Sequence, residues 1–235
     1  MSARFEKNFR EIERVLNMSY GSVGVQEAAD IYDVFQNNIW AGGELPKLTK
    51  ETLWAMEFVY NQALYFVLYG TEEERRIANT PFFEELVSSF DDKILALAEN
   101  RTSYKWKMFS AHDTTVSMIT TGLNLTSYEC VAKLLEQKRM GIDISKEDDC
   151  FLFPQYASNL IFELHQENNL HYVKIKYNGK YVKICGNKDR KCRYEEFKKR
   201  LVNFKVDDFK NKCFGMKEGG KRFLEKKLMS KWKNN

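Results

Sequence analysis

Apolar residues in the first hundred positions recur at helical spacing, so the chain is predicted to begin with helices. In the first of them, Phe5, Phe9 and Ile12 fall close to one face, as in an amphipathic helix. Pro81 suits the first turn of a later helix, and Gly70 suits a helix end. The predicted helices are residues 4–17, a helix from Thr49 or Thr52 to Tyr69, and Pro81 to Leu97.

Beyond residue 100 the pattern changes to short apolar runs and strict alternation, which are typical of strands. Asn168-Asn169 lies between two such runs and predicts a β-hairpin, and Asn178-Gly179 predicts a further turn. The predicted elements are a strand over 105–110, a helix over 114–121, strands over 159–164, 171–177 and 181–184, and a helix over 193–202. This order predicts an α/β or α+β chain.

Composition and charge add one feature to this picture, a basic segment over residues 210–235. Apolar residues make up 43% of the 235 residues, and no run reaches the ~18 apolar residues of a membrane helix. The net charge of +4 is concentrated in residues 210–235, so nucleic-acid binding by the main body is not indicated. Residues 219–235 predict a basic helix, which either contacts an anionic surface or a partner groove, or is simply solvated.

The five cysteines are Cys130, Cys150, Cys185, Cys192 and Cys213. They form no CxxC pair, so neither a zinc site nor another cofactor is expected. Cys185 and Cys192 flank a short turn and are expected to form a disulfide in an oxidising compartment, and otherwise to remain thiols. Cys130 and Cys150 bracket a predicted helical insertion of about 126–150, where a disulfide is one alternative.

Three glycosylation sequons begin at Asn17, Asn100 and Asn124, and they hint at a secretory history. The first fifteen residues are highly charged and lack the apolar core of a signal peptide, so none is expected as the sequence is written. Localisation therefore remains open at this point.

The sequence from Phe109 to Thr115 carries the strongest candidate chemistry. A predicted strand ends there at His112-Asp113, and a predicted helix follows directly. The N–H groups at a helix start suit a phosphate, His112 can donate to a phosphate oxygen, and Asp113 can act as a general acid. The alternative interpretation is an ordinary strand end followed by a helix cap.

Ser110-Ala111-His112-Asp113-Thr114-Thr115 resembles the second signature of the histidine acid phosphatases, the two-domain branch of the histidine phosphatase superfamily. The resemblance continues at several later and earlier places in the family's order, over roughly residues 3–213. These places are Leu68-Tyr69-Gly70 in the helical cap, Pro154-Gln155-Tyr156-Ala157-Ser158 with Leu160 and Glu163-Leu164, the Cys185–Cys192 disulfide loop with Arg193 to Phe197, and the final cysteine, Cys213.

The resemblance implies hydrolysis of phosphate monoesters through a phosphohistidine, without a metal, with His112 contacting phosphate and Asp113 as proton donor. The family's nucleophile lies in an arginine-histidine-glycine motif, and no such motif occurs here. The other histidines, His165 and His171, lie in the predicted hairpin. We therefore predict that the chain alone is inactive, because covalent catalysis needs the attacking group. A secreted or lysosomal location is implied for a full-length parent.

The resemblance also implies a partial phosphatase-like fold that lacks the family's N-terminal central strands. The expected division is a helical cap-like part over 1–100, an α/β part over 101–213 and a basic tail over 214–235. An open sheet face would then need covering. Either additional N-terminal sequence completes an enzyme that acts on a phosphate monoester, or a protein partner covers the face of a non-catalytic interaction subunit.

Overall fold

The computed structural model describes residues 2–144, 150–185 and 189–214. The chain divides into two compact units, and the division does not follow chain order. Within the described residues, the first unit contains residues up to Leu68 together with 128–144, and the second contains 69–127 and the remainder. The predicted basic helix over 219–235 lies outside the described residues.

The described residues form a mixed α/β structure, as predicted, with a small antiparallel sheet. Its helices are α1 (Ser2–Val15), α2 (Val25–Trp40), α3 (Lys50–Tyr69), α4 (Glu72–Ala98), α5 (Asp113–Gly122), α6 (Tyr128–Arg139), α7 (Tyr194–Phe204) and α8 (Phe209–Phe214). Its strands are β1 (Leu160–Glu167), β2 (Leu170–Tyr177), β3 (Lys180–Tyr181) and β4 (Cys192–Arg193). No helix of the described residues is long and apolar enough to cross a membrane.

The first unit is helical, and its core is an aromatic cluster formed by α1 and α3. Phe5 lies 5.9 Å from Trp54 and 5.6 Å from Phe58, measured between ring centroids. The indole N–H of Trp54 donates to the Leu135 carbonyl at 2.9 Å, which ties α6 to this cluster. The predicted apolar face of α1 is confirmed, because Phe5, Phe9 and Ile12 are buried. The predicted insertion therefore contributes α6 to the helical core.

In the second unit, β2 is the central strand of the sheet. It pairs with β1 along its whole length, and β3 and β4 pair with different parts of it. Val173, Ile175 and Tyr177 point into the core, while the alternate positions face solvent. The predicted hairpin over Asn168-Asn169 is confirmed, and both asparagines adopt positive φ. The predicted strand over 181–184 is wrong beyond Tyr181, where Ile184 makes only an isolated bridge to Asp189.

Helix α4 is the longest element and begins nine residues before the predicted start. A capping box explains the difference: the Thr71 hydroxyl accepts from the Glu74 N–H at 3.2 Å, and the Glu74 carboxylate accepts from the Thr71 N–H at 2.9 Å. Pro81 therefore lies inside the helix, not in its first turn. Pro81 removes one backbone hydrogen bond, but the capped first turn and the burial of α4 outweigh this loss.

Side chains of α4 hold the middle of one helix and the end of another. Asn79 is fully buried, and its amide donates to the Met118 carbonyl of α5 at 2.9 Å. The Arg76 guanidinium donates to the carbonyls of Phe204 and Lys205, both at 2.8 Å, where α7 ends. The Arg76 bonds satisfy carbonyl groups that a helix leaves without partners near its end. They fix α5 and α7 on α4 by specific polar contacts.

Four of the five cysteines are disulfide-bonded, and all five lie in the described residues. Cys185 and Cys192 form the predicted disulfide, with Cα atoms 5.7 Å apart. Cys130 and Cys150 are also in disulfides, whereas Cys213 is free and exposed. The Cys185–Cys192 disulfide joins the turn after β3 to the start of β4 and so fixes the entry into α7.

The three sequon asparagines share one structural role. Asn17, Asn100 and Asn124 each lie just beyond the end of a helix, with φ of 53°, 53° and 55°. Asparagine tolerates this left-handed conformation better than other non-glycine residues. The Thr126 hydroxyl of the third sequon is buried and donates to the Phe151 carbonyl at 2.8 Å. Helix termination therefore accounts for the asparagine in each triplet.

The contact of α4 with α5 yields a direct test, because a β-carbon at Gly122 would stand 2.5 Å from Cγ of Asn79. We expect Gly122→Ala to lower the free energy of unfolding by about 2–4 kcal/mol, through displacement of Asn79 and its hydrogen bonds. In an Asn79→Ala background the same substitution should cost less than about 1 kcal/mol, since the clash is gone. Equal losses in both backgrounds, measured by denaturant unfolding, would contradict this account.

Candidate functional site

His112 and Asp113 lie at the start of α5. His112 is the N-cap residue, with φ −84° and ψ 164°, and its carbonyl accepts from the N–H groups of Thr115 and Val116 at 3.0 and 3.2 Å. Its imidazole does not cap the helix. The Asp113 carboxylate accepts from the Thr114 N–H at 2.6 Å. Both side chains are exposed, so the imidazole and one carboxylate oxygen face solvent.

The helix behind this pair is firmly held. Ile119, Thr120 and Gly122 are buried, and the Asn79 bond to Met118 fixes the middle of α5. The start of α5 therefore projects from a rigid element, which is a favourable arrangement for a site that depends on position. Its N–H groups and the positive end of its dipole favour an anion at this place.

The segment that precedes the pair is not the predicted strand. Residues 105–110 form no strand, and they are exposed throughout. They lie beside α4: Lys107 forms an ion pair with Glu85, and the Phe109 ring lies 5.8 Å from the Phe82 ring. A strand exists only when a neighbour supplies backbone hydrogen bonds. No strand of the described residues lies there, so the apolar residues of this segment face solvent.

No basic side chain of the described residues pairs with His112 or Asp113. The structure thus places the two predicted residues together, but within residues 2–144, 150–185 and 189–214 no arginine clamp and no second histidine pairs with them. His165 lies in β1 and contacts Glu163, with Nε2 2.9 Å from the carboxylate oxygen. His171 lies in β2, opposite Gln166. Among the described residues, no hydrogen bond or ion pair joins either histidine to the start of α5.

Glu163 is the centre of a separate polar network on the solvent-facing side of the sheet. Its carboxylate accepts from Lys176 at 2.7 Å and from the Tyr181 hydroxyl at 2.9 Å, in addition to the His165 contact. Burial by itself would raise the pKa of Glu163, but the hydrogen bonds from Lys176, His165 and Tyr181 outweigh it and lower the pKa to about 2. The sequence indicated Glu163 only as part of a motif and gave no sign of these partners.

One group of potential metal ligands occurs in the part of the chain that the structure describes: Cys185, Cys192 and Glu196, with ligand atoms within 4.8 Å of one another. The two sulfur atoms are joined in the disulfide and cannot act as thiolates. This group therefore does not suit a metal while the disulfide is intact.

Comparison with known proteins adds no relative to this picture. No protein-family pattern matches the chain, and no curated protein sequence is similar to it.

The network around Glu163 predicts a pH-dependent contribution to stability. A carboxyl pKa lowered from 4.5 to about 2 stabilises the fold above pH 4.5, and this contribution is lost as the pH falls towards 2. We expect Glu163→Gln to reduce the free energy of unfolding by about 1 kcal/mol at pH 7. The difference from wild type should shrink between pH 4.5 and pH 2 in urea unfolding curves.

Glu196→Gln is the matched control, since Glu196 pairs only with Arg200 on the exposed surface of α7, at 2.9 Å. Its effect should stay below about 0.5 kcal/mol. A Glu163→Gln difference that remained constant down to pH 2 would contradict the assignment.

Proposed function

We propose that this chain carries half of a phosphomonoesterase site of the histidine acid phosphatase type, and that it is inactive alone. The arrangement that supports the proposal is His112 as N-cap of α5 with Asp113 beside it, both open to solvent. An imidazole, the positive end of a helix dipole and a carboxyl group then meet at one place. These are the groups that can hold a phosphate ester and protonate its leaving oxygen.

In this proposal the missing step is the attack on phosphorus. A histidine from outside these 235 residues would form the bond to phosphorus while the P–O ester bond breaks, and Asp113 would give its proton to the departing alkoxide. Water would then release phosphate from the phosphohistidine. His112 would donate to a phosphate oxygen throughout, and no metal takes part.

The exposed segment before the pair is where completing sequence would dock. Residues 105–110 are exposed and belong to no strand, and they lead through Ala111 into His112. A strand added there would cover the segment and bring its own end close to the start of α5. The substrate class therefore rests on a completed protein, and the half-site by itself should bind only a simple anion weakly.

Anion binding at the half-site can be measured by following the histidine ring signals in NMR spectra. Titration with inorganic phosphate should shift the ring resonances of His112 and the backbone amide signals of Thr114 and Thr115. The ring signals of His165 serve as the internal control, because its nitrogen is already bound to Glu163. Shifts at His165 alone would refute the half-site.

Activity of the isolated chain is the companion measurement. The purified protein should show no hydrolysis of an aryl phosphate at pH 5, since it lacks the nucleophile. Turnover that Asp113→Ala abolishes would contradict the claim that the chain alone is inactive.

A second candidate, supported by a separate observation, is a non-catalytic interaction subunit. Tyr104, Trp106 and Met108 are 86%, 69% and 78% exposed on one extended run. Large apolar side chains placed together on a surface mark a protein contact. The partner would be a protein that covers this run.

A chain that acts as an interaction subunit should associate through Tyr104, Trp106 and Met108. Wild-type protein should sediment as an oligomer or bind an apolar dye at micromolar concentration, and Tyr104→Ser/Trp106→Ser/Met108→Ser should abolish both signals. Val34→Ser/Trp40→Ser is the matched control, since these exposed side chains lie on α2. A wild-type monomer that binds no dye would rule this candidate out.

A further inference from the structure

A groove of about 620 Å³ lies on the solvent-facing side of the sheet, where β2, β4 and the start of α7 meet. This volume is in the range of sites for small molecules. The Cys185–Cys192 disulfide forms part of its wall. The remaining lining residues are Tyr172, Lys174, Tyr181, Asp189, Arg190, Lys191, Arg193 and Glu196.

The charges of the groove favour an anion. Two of its charged residues are already neutralised: Lys191 pairs with Glu167, and Glu196 pairs with Arg200. Among the described residues, neither Lys174 nor Arg193 forms an ion pair, although the Lys191 hydrogen bond, and after it the Lys174 charge, contributes to lowering the pKa of the Glu167 carboxyl group. Lys174 instead has its ammonium 5.4 Å from the centre of the Tyr181 ring. Two cations that form no ion pair leave a positive potential in the groove that an anionic ligand would neutralise.

The register of the sheet brings these two cations to one place. Arg193 of β4 lies directly opposite Tyr172 of β2, and Lys174 follows two residues later on the same face. Diagonal neighbours in a sheet have Cβ atoms roughly 7–8 Å apart, within reach of long side chains. The Tyr172 hydroxyl has no hydrogen-bond partner in the described ranges, and Tyr172 is the residue that pairs with Arg193. Three donors can thus converge on one anionic group.

The size and lining of the groove define the rest of the ligand. Ammonium groups already lie over both tyrosine rings, with Lys191 4.0 Å from the centre of the Tyr172 ring and Lys176 4.6 Å from that of Tyr181. The disulfide and the ring surface that still lines the groove offer apolar contact for a ring or sugar, while the Asp189 carboxylate disfavours a polyanionic chain. We propose that this groove binds a small ring-bearing molecule with one tetrahedral oxyanion, a phosphate or sulfate ester, held by Lys174, Arg193 and Tyr172.

Phenylphosphonate and benzenesulfonate are the probes, because neither can be hydrolysed at a phosphatase site. Calorimetric titration should show saturable binding of at least one of them to the wild-type chain, and the tighter one assigns the phosphate or the sulfate class. Lys174→Ala/Arg193→Ala should weaken this binding tenfold or more, roughly as expected for the loss of charge-assisted hydrogen bonds. Lys174→Arg/Arg193→Lys should retain most of it.

Lys199→Ala/Lys210→Ala is the matched control, since it removes the same charge from exposed positions outside the groove. It should leave the affinity unchanged, and so should His112→Gln, which keeps this test separate from the half-site. Absence of binding by both probes, equal weakening by the two double alanine variants, or loss of binding in His112→Gln would each overturn the proposal.

Discussion

The second unit depends on hydrogen bonds that buried and half-buried polar side chains of α4 make to the backbone of other segments. Asn79 reaches α5, Arg76 reaches the end of α7, and the Thr80 hydroxyl accepts from the Val206 N–H at 3.0 Å. Apolar packing alone would allow these helices to slide along α4, because it has little directional preference. The polar contacts set position and register, so both the start of α5 and the start of α7 point in defined directions.

These hydrogen bonds explain which parts of the second unit are held in place and which are left exposed. The start of α5 is held from behind, yet the ten residues before it rest on α4 only through side chains such as Lys107 and Phe109. The solvent-facing side of the sheet is held differently, by the disulfide at Cys185 and by the β2–β4 pairing. The second unit therefore has a half-site on a fixed helix start, preceded by an exposed segment, and a groove whose wall contains a disulfide.

Much of the fold could be predicted from local patterns, and the failures have physical causes. Alternation in β2 and the Asn168-Asn169 turn identified the hairpin, because both signals are local. Helix α2 was missed, since it starts after Gly24 without a side-chain cap and few of its residues are buried. Residues 105–110 have the composition of a strand, but a strand also needs a neighbour, which no local pattern reveals.

The candidate sites show the same division. His112 and Asp113 could be identified because they are adjacent in sequence and are followed by a helix. The groove could not, because Lys174 and Arg193 come together only through the register of β2 with β4. The alternation of Tyr172, Lys174 and Lys176 was visible as one face of a strand, but nothing in it indicated which other strand would lie beside that face.

The asparagines beyond α1, α4 and α5 have a consequence for how such triplets evolve. Backbone geometry favours asparagine at these helix ends whether or not the protein meets a glycosylating enzyme. A serine or threonine two residues later then completes an acceptor triplet at no cost to the helix. Acceptor triplets should therefore accumulate at helix ends by neutral drift, and in Asn124-Leu125-Thr126 the threonine has its own structural reason to persist. The number of acceptor triplets in a helical protein therefore reflects how its helices end, and it is not by itself evidence that the protein is secreted.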